Sequence, residues 1–291
     1  MKTMKKATVF APGHISGFFQ PIYHENIYQT GSRGAGINLS SGATSTVQID
    51  NGAEQKIDVF YQKKRQKADV VTYAIRELLK ERTFHVVVDI CIDLPISQGF
   101  GISAASALSS SYALATLLQI PYENVYMAAH KAEIVMKTGL GDVAAEIAGG
   151  VEIRKKPGIP PWGQIEKIAG ERKIVICTID KKISTSDILN NTDIQKRVQL
   201  FGKKCTDALI SNPTFENFFQ LSTDFTYNSK LASEKVLEAM DAVKPFGMCS
   251  MCMLGNTVFS VGKTEKIIDV LSEYGTVQKC DIDQHGVQIL K

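Results

Sequence analysis

The sequence predicts an α+β chain of two domains. Three observations carry that expectation. The length of 291 residues, 44% of them apolar and 22% charged, suffices for a core in each of two ordinary domains. A run from Phe84 to Leu94, in which Val86, Val88, Ile90 and Ile92 alternate with other residues, reads as a strand. It leads through a glycine-rich turn into Ala104 to Leu118, an apolar run without Gly or Pro that reads as a buried helix. Beyond residue 173 the texture changes to helices separated by short strands, the pattern of helices packed on a largely antiparallel sheet. The division is drawn at 1–160 and 161–291.

In chain order, Ala7 to Phe10 reads as a first strand, stopped by Ala11-Pro12-Gly13. His14, Ser16 and Gly17-Phe18-Phe19 follow in a loop or returning strand. Gln29 to Gly36 is glycine-rich and carries Ser32 and Arg33. It is a candidate for binding an acidic substrate, or else a bulged turn with a solvated Arg. Residues 44–49 and 56–61 read as strands joined by a turn at Asn51-Gly52. Lys63-Lys64-Arg65-Gln66-Lys67 reads as a solvated basic surface opening a helix over 69–80. Pro121 starts a helix over 122–137, on which His130 and Glu133 share a face. It stops at Thr138-Gly139-Leu140-Gly141; Asp142 follows, then a short helix over 143–148 closed by Gly149-Gly150. Residues 151–154 read as a strand leaving the domain, and 155–162, with three prolines, as the linker.

In the second half, strands are expected at 173–179, 248–254, 257–261, 276–280 and 287–290, and helices at 193–210, 214–225, 231–243 and 265–274. Ser184-Thr185-Ser186-Asp187 reads as a helix cap with an acidic first turn.

Composition narrows the partners. A net charge of +3 points to neither nucleic acid nor an anionic membrane. No apolar run approaches the roughly eighteen residues of a membrane span. Residues 1–10 are a charged lead into a strand, without a signal-peptide core. Six cysteines, scattered apart from Cys249-Ser250-Met251-Cys252, suggest reduced thiols and a cytoplasmic setting. With no second CxxC and His285 standing alone, that pair reads as small strand residues in preference to a zinc or redox site.

The chemistry centres on Pro95-Ile96-Ser97-Gln98-Gly99-Phe100-Gly101-Ile102-Ser103-Ala104-Ala105. At a strand-to-helix turn the first N–H groups of the helix lack intrahelical partners, and the helix dipole adds positive potential, so an anion is favoured there. Glycine lets a phosphate approach the backbone. The P-loop pattern fails, because no Lys follows the second glycine. The dinucleotide pattern GxGxxA matches Gly99, Gly101 and Ala104 and keeps a dinucleotide-binding oxidoreductase as the rival of another class. Against it, Pro121-Tyr122-Glu123 leads into a helix where a second strand ending in an acid is required. A phosphoryl transferase needs hard oxygen ligands for Mg²⁺ and a carboxylate near the acceptor hydroxyl. Ser103 and Glu133 suit the metal, and Asp142, in a tight glycine-flanked turn, suits the base. The plain alternatives are a turn without a ligand, a Glu133–Lys137 ion pair and Asp142 as a helix cap.

Pro95-x-x-x-Gly99-Phe100-Gly101-x-Ser103-Ala104-Ala105 resembles the central motif of the GHMP small-molecule kinases. Ala11-Pro12-Gly13 is similar to their first motif, and Gly141-Asp142 with Gly149-Gly150 to the segment bearing their catalytic aspartate. Phe10-Ala11-Pro12-Gly13-His14-Ile15-Ser16-Gly17-Phe18-Phe19, Gly31-Ser32-Arg33-Gly34-Ala35-Gly36 and Thr138-Gly139-Leu140-Gly141-Asp142 together resemble the archaeal branch whose acceptor is (R)-pantoate. The resemblance follows the whole chain, densely over the first 155 residues and thinly afterwards. It implies a two-domain GHMP-kinase-like fold, with a βαβ-containing N-terminal domain bearing the phosphate loop and a C-terminal ferredoxin-like α/β sandwich. It implies ATP and Mg²⁺, and phosphorylation of the 4-hydroxyl of pantoate on the route to coenzyme A. By position, Pro95, Gly99, Phe100, Gly101, Ile102, Ser103, Ala104 and Ala105 wrap the ATP phosphates, Ser103 and Glu133 face the metal, and Asp142 is the base. For a small hydroxy acid, Ser32, His130 and either Arg154 or Arg33 are the candidate contacts, since Arg suits a carboxylate. A mevalonate or homoserine kinase is the alternative within the superfamily, and a homodimer is left open. Three departures stand out: His14 replaces a common Lys, Ile102 replaces a common Ser, and the third motif is reduced to Met253-Leu254-Gly255-Asn256.

Overall fold

A computed structural model describes residues 5–170, 172–179 and 191–290. The cap expected at Ser184-Thr185-Ser186-Asp187 lies outside the described residues.

Two long strands form the spine of the first sheet. β1 (Lys5–Ile22) and β2 (Gly31–Asn51) pair antiparallel from Lys5↔Ile49 to Ile22↔Gly31. The first strand therefore runs through Ala11-Pro12-Gly13 and does not stop there. Pro12 sits opposite Gly42 at a register shift, one of the few places where a ladder tolerates the missing N–H. A second shift falls between Ser16 and Phe18. The far half of β2 pairs with β5 (Phe84–Ile92), which pairs in parallel with β3 (Lys56–Tyr61). The hairpin expected at Asn51-Gly52 is thus absent, because β5 lies between β2 and β3. The crossover that a parallel pair requires is supplied by α1 (Asp69–Leu79), giving a βαβ unit. The basic run forms a two-residue edge strand, β4 (Lys64–Arg65), before that helix.

Helices α2 (Ile102–Leu118), α3 (Tyr122–Met136) and α4 (Asp142–Ala148) complete this half. α2 is buried nearly all round from Ile102 to Ala115, as a helix of small and apolar residues must be. Its alanines and Leu108 pack with Val9, Val47, Val86, Val88 and the apolar face of α1.

β6 (Val151–Lys156) pairs with the near half of β2, and β7 (Gln164–Ile168) pairs with β6. The proline-rich residues 157–163 therefore close a hairpin within the first sheet and are not a linker. The chain then passes to a second, four-stranded sheet of β8 (Lys173–Thr178), β9 (Gly247–Met251), β10 (Thr257–Gly262) and β11 (Thr276–Asp281). Its order is β11-β8-β10-β9, antiparallel throughout, which is the ferredoxin-like arrangement. α5 (Thr192–Ser211), α6 (Phe215–Ser229), α7 (Glu234–Val243) and α8 (Thr264–Leu271) accompany it. Side chains of Asn191, Thr214 and Ser233 cap the first three of these helices. Phe218, Phe219, Phe225 and Phe259 form the aromatic core of this half, and Phe18 and Phe19 of β1 pack into it. After β11 the chain returns to the first sheet as β12 (Gln288–Ile289) beside β1.

Cys249 lies in the middle of β9 and Cys252 just beyond its end, both buried, and burial pushes both thiols up. Thiols held protonated are poor metal ligands and poor nucleophiles. Among the described residues no helix is long and apolar enough to cross a membrane.

Candidate active site

The glycine turn between β5 and α2 is built as an anion cradle. Gly101 is the N-cap of α2 in the left-handed region, φ 63°, and no side chain caps the first turn. The leading N–H groups of a long buried helix are thus presented at the turn. The second half of the molecule closes behind the turn. The hairpin residues 253–256 press on it so tightly that a Cβ on Gly255 would lie 2.1 Å from the Gln98 carbonyl oxygen. The Asn256 N–H donates to Gln98 Oε1 at 3.2 Å.

On the first turn of α2, Ser103 donates to Glu133 Oε1 at 2.6 Å, and Thr138 Oγ1 donates to the same oxygen at 2.9 Å. Glu133 is buried. Burial pushes its carboxyl up to about 7, with the nearby Asp142 charge adding to the effect and the two hydroxyls opposing it. A hard cation would hold such a group ionised, and a serine hydroxyl beside a carboxylate is a donor set of the kind Mg²⁺ takes. Gly139 joins this pair to Asp142: a Cβ there would lie 2.2 Å from Glu133 Oε2 and 2.9 Å from Asp142 Oδ2. The pairing of Glu133 with Lys137 is not what the structure forms.

Asp142 is the first residue of α4 and keeps a quarter of its side chain exposed. Its Oδ1 lies 2.8 Å from His14 Nδ1. Burial acts to raise its carboxyl, but the His14 hydrogen bond and the charges of His14 and Arg154 outweigh that and hold it below the usual carboxylate range. His14 Nε2 lies 3.0 Å from Glu152 Oε1, Arg154 Nη1 donates to that same oxygen, and Arg154 Nη2 donates to Ser16 Oγ at 3.1 Å. A buried polar chain therefore runs Asp142–His14–Glu152–Arg154–Ser16.

This chain explains the glycine-rich stretch of β2. A Cβ on Gly36 would lie 2.2 Å from His14 Nε2, and one on Gly34 3.0 Å from Arg154 Nη2. The glycines make room for side chains of β1 and β6 and do not line a loop around a ligand. Ser32 Oγ and Arg154 Nε meet under Gly141, where a Cβ would be 2.3 and 2.9 Å away respectively. Arg154 Nε is buried and without a hydrogen-bond partner.

Two expected contacts do not join the group. Arg33 alternates to the other face of β2, donating to Asp207 of α5 at 2.6 Å and to the Lys155 carbonyl at 3.0 Å. His130 is buried, and its Nε2 donates to the carbonyls of Thr30 at 2.9 Å and Ile27 at 3.3 Å. Burial keeps its imidazole below the ordinary value, so it fastens the 24–30 loop to α3.

Sequence reasoning missed the joint role of His14, Ser16 and Glu152. The available signal was alternation: His14 and Ser16, like Glu152 and Arg154, are two apart on a strand and so share a face. It also missed Glu146, fully buried on α4 with both carboxyl oxygens unpartnered. Burial, reinforced by Asp142 and Glu133, pushes that carboxyl well above its ordinary value. It packs against Gly101, where a Cβ would be 2.6 Å from Oε1.

Comparisons with known proteins agree on one family. The GHMP kinases N terminal domain matches residues 69–150. A pantoate kinase of Methanocaldococcus jannaschii is 36% identical over 277 residues, covering 94% of this chain and 99% of that protein. A pantoate kinase of Thermococcus kodakarensis is 33% identical, covering 88% of each chain. A solved structure described as a phosphotransferase related to the CoA biosynthesis pathway superposes with a TM-score of 0.91 at 28% identity, covering 98% of this chain and 99% of that one.

Proposed function

The chain belongs to the pantoate kinase family of the GHMP kinases, and from this we propose that it transfers the γ-phosphoryl group of ATP to the 4-hydroxyl of (R)-pantoate. The products are 4-phosphopantoate and ADP, on the route to coenzyme A. The observation that carries the reading is the convergence of the Ser103–Glu133 pair and Asp142 on the N-terminus of α2, with Gly139 between them.

The turn from Gly99 to Ala105 binds the phosphates through backbone N–H groups, with the dipole of α2 behind them. Ser103 and Glu133 would hold Mg²⁺, which when bound neutralises phosphate charge as it develops. Asp142 receives the hydroxyl proton and orients the oxygen toward phosphorus. Its carboxyl is held ionised by His14, so it accepts at neutral pH without first losing a proton of its own. A carboxylate this acidic acts mainly by orientation and charge, with the proton moving late. Arg154 Nε and Ser32 Oγ are assigned to the acceptor carboxylate. The unpartnered, buried Nε supports this, because a donor without an acceptor is costly until a ligand provides one.

The test is Asp142→Asn assayed against pantoate, mevalonate, homoserine and pantothenate. Wild type is expected to phosphorylate pantoate in preference to the others. The variant is expected to fold, bind Mg·ATP and lose on the order of 10²–10⁴ in kcat. Turnover near wild type would remove Asp142 from the mechanism, and preference for another alcohol would replace the substrate.

A further inference from the structure

We propose that Glu152 is a positioning residue for the transfer, holding Asp142 in place through His14. The inference rests on Asp142 acting as the base. Glu152 is fully buried on β6, faces β2 at Gly36, and is separated from Asp142 by the His14 ring. Its carboxylate and that of Asp142 lie on opposite ring nitrogens of His14, at 3.0 and 2.8 Å. A carboxylate only accepts, so a ring nitrogen facing one must carry a proton. Both nitrogens carry one only in the imidazolium. Arg154 Nη1 also approaches Nε2, at 3.3 Å, but a guanidinium only donates. Two donors side by side are tolerated because both point at Glu152 Oε1. Burial works against a charged ring, yet the hydrogen bonds to Asp142 and Glu152 outweigh it and keep His14 above its ordinary value.

The consequence runs along the chain of contacts. With an acceptor carboxylate at Glu152, His14 is a cation whose Nδ1–H anchors Asp142 Oδ1 and leaves Oδ2 on the side of Gly139 and Glu133. Without that charge, Nε2 would accept from Arg154 and the ring would be neutral. Asp142 would then lose its charged anchor, and with it the fixed orientation of the free oxygen.

Glu152→Gln keeps the shape and removes the charge. The expected result is a kcat lower by on the order of 10²-fold, as for a misplaced reacting group, with KM for ATP and the thermal shift on adding Mg·ATP unchanged. In an Asp142→Asn background the same substitution should cost nothing further, since residues acting as a unit are not additive. Long-range ¹H–¹⁵N NMR, with His14 assigned by its loss in His14→Gln, should show two protonated ring nitrogens in the wild type at neutral pH and one in Glu152→Gln. Wild-type kcat in folded Glu152→Gln, full additivity with Asp142→Asn, or a neutral His14 in the wild type would each overturn the proposal. If Glu152→Gln fails to fold, the wild-type spectrum alone decides. An inactive Asp142→Asn beside a wild-type-like Glu152→Gln sinks this inference alone, whereas an active Asp142→Asn sinks the reading on which it rests.

Discussion

Glu133→Gln should make the metal-free protein more stable and less active at once. In the fold, burial lifts the Glu133 carboxyl from its ordinary 4.5 to about 7. A group whose folded value lies above its unfolded one contributes stability that is complete below about pH 4.5. That contribution is lost as pH rises to about 7, because the unfolded chain ionises first. At about 1.4 kcal/mol per pKa unit the loss is about 3 kcal/mol, complete by about pH 8. Glutamine avoids it. Its oxygen can accept from Ser103 and Thr138 as Glu133 Oε1 does, and its amide would face Asp142 Oδ2 across Gly139. Urea unfolding without Mg²⁺ should therefore favour the variant by about 3 kcal/mol near pH 8 and by little near pH 4.5. Added Mg²⁺ should raise the stability of the wild type, by binding the folded state only, and leave the variant unmoved. Its kcat should fall by on the order of 10²-fold or more. A variant no more stable than wild type near pH 8 would refute the buried-charge argument, and one equally responsive to Mg²⁺ would refute the metal assignment.

Arg154→Lys should raise KM for pantoate, whereas Arg33→Ala should leave KM unchanged. The Arg33–Asp207 pair is partly exposed and is expected to cost no more than about 1 kcal/mol in a denaturation titration. The opposite pattern of KM values would move the carboxylate site to Arg33. Gly255→Ala should weaken Mg·ATP binding in a thermal-shift titration, because its methyl group would drive the hairpin off the Gln98 carbonyl. Unchanged nucleotide affinity would mean that the hairpin does not shape the phosphate loop. NAD(P)H should produce no shift, and a shift equal to that of Mg·ATP would revive the dinucleotide reading of Gly99, Gly101 and Ala104.

Local signals were legible in the sequence. The strand, glycine turn and apolar helix around Gly101 follow from periodicity and from where glycine permits a left-handed backbone. Ser103, Glu133 and Asp142 stood out because hard oxygen donors beside an anion site suggest phosphoryl transfer. What depended on distant pairing was not legible. The Asn51-Gly52 turn looks like a hairpin until β5, more than thirty residues on, is placed between the strands it joins. Pro160-Pro161 looks like a linker until β6 and β7 are seen to pair across it. Arg33 and Ser32 are neighbours in sequence but lie on opposite faces of β2, so only one can approach Gly141. The His14–Glu152 contact spans 138 residues and has no local trace beyond polar residues alternating on two strands.

The chain passes between its two sheets twice, outward between β7 and β8 and back between β11 and β12. A protease cut in the first passage would leave the second sheet attached to β12, and a cut in the second would leave it attached to β7. Two tethers also forbid free swivelling.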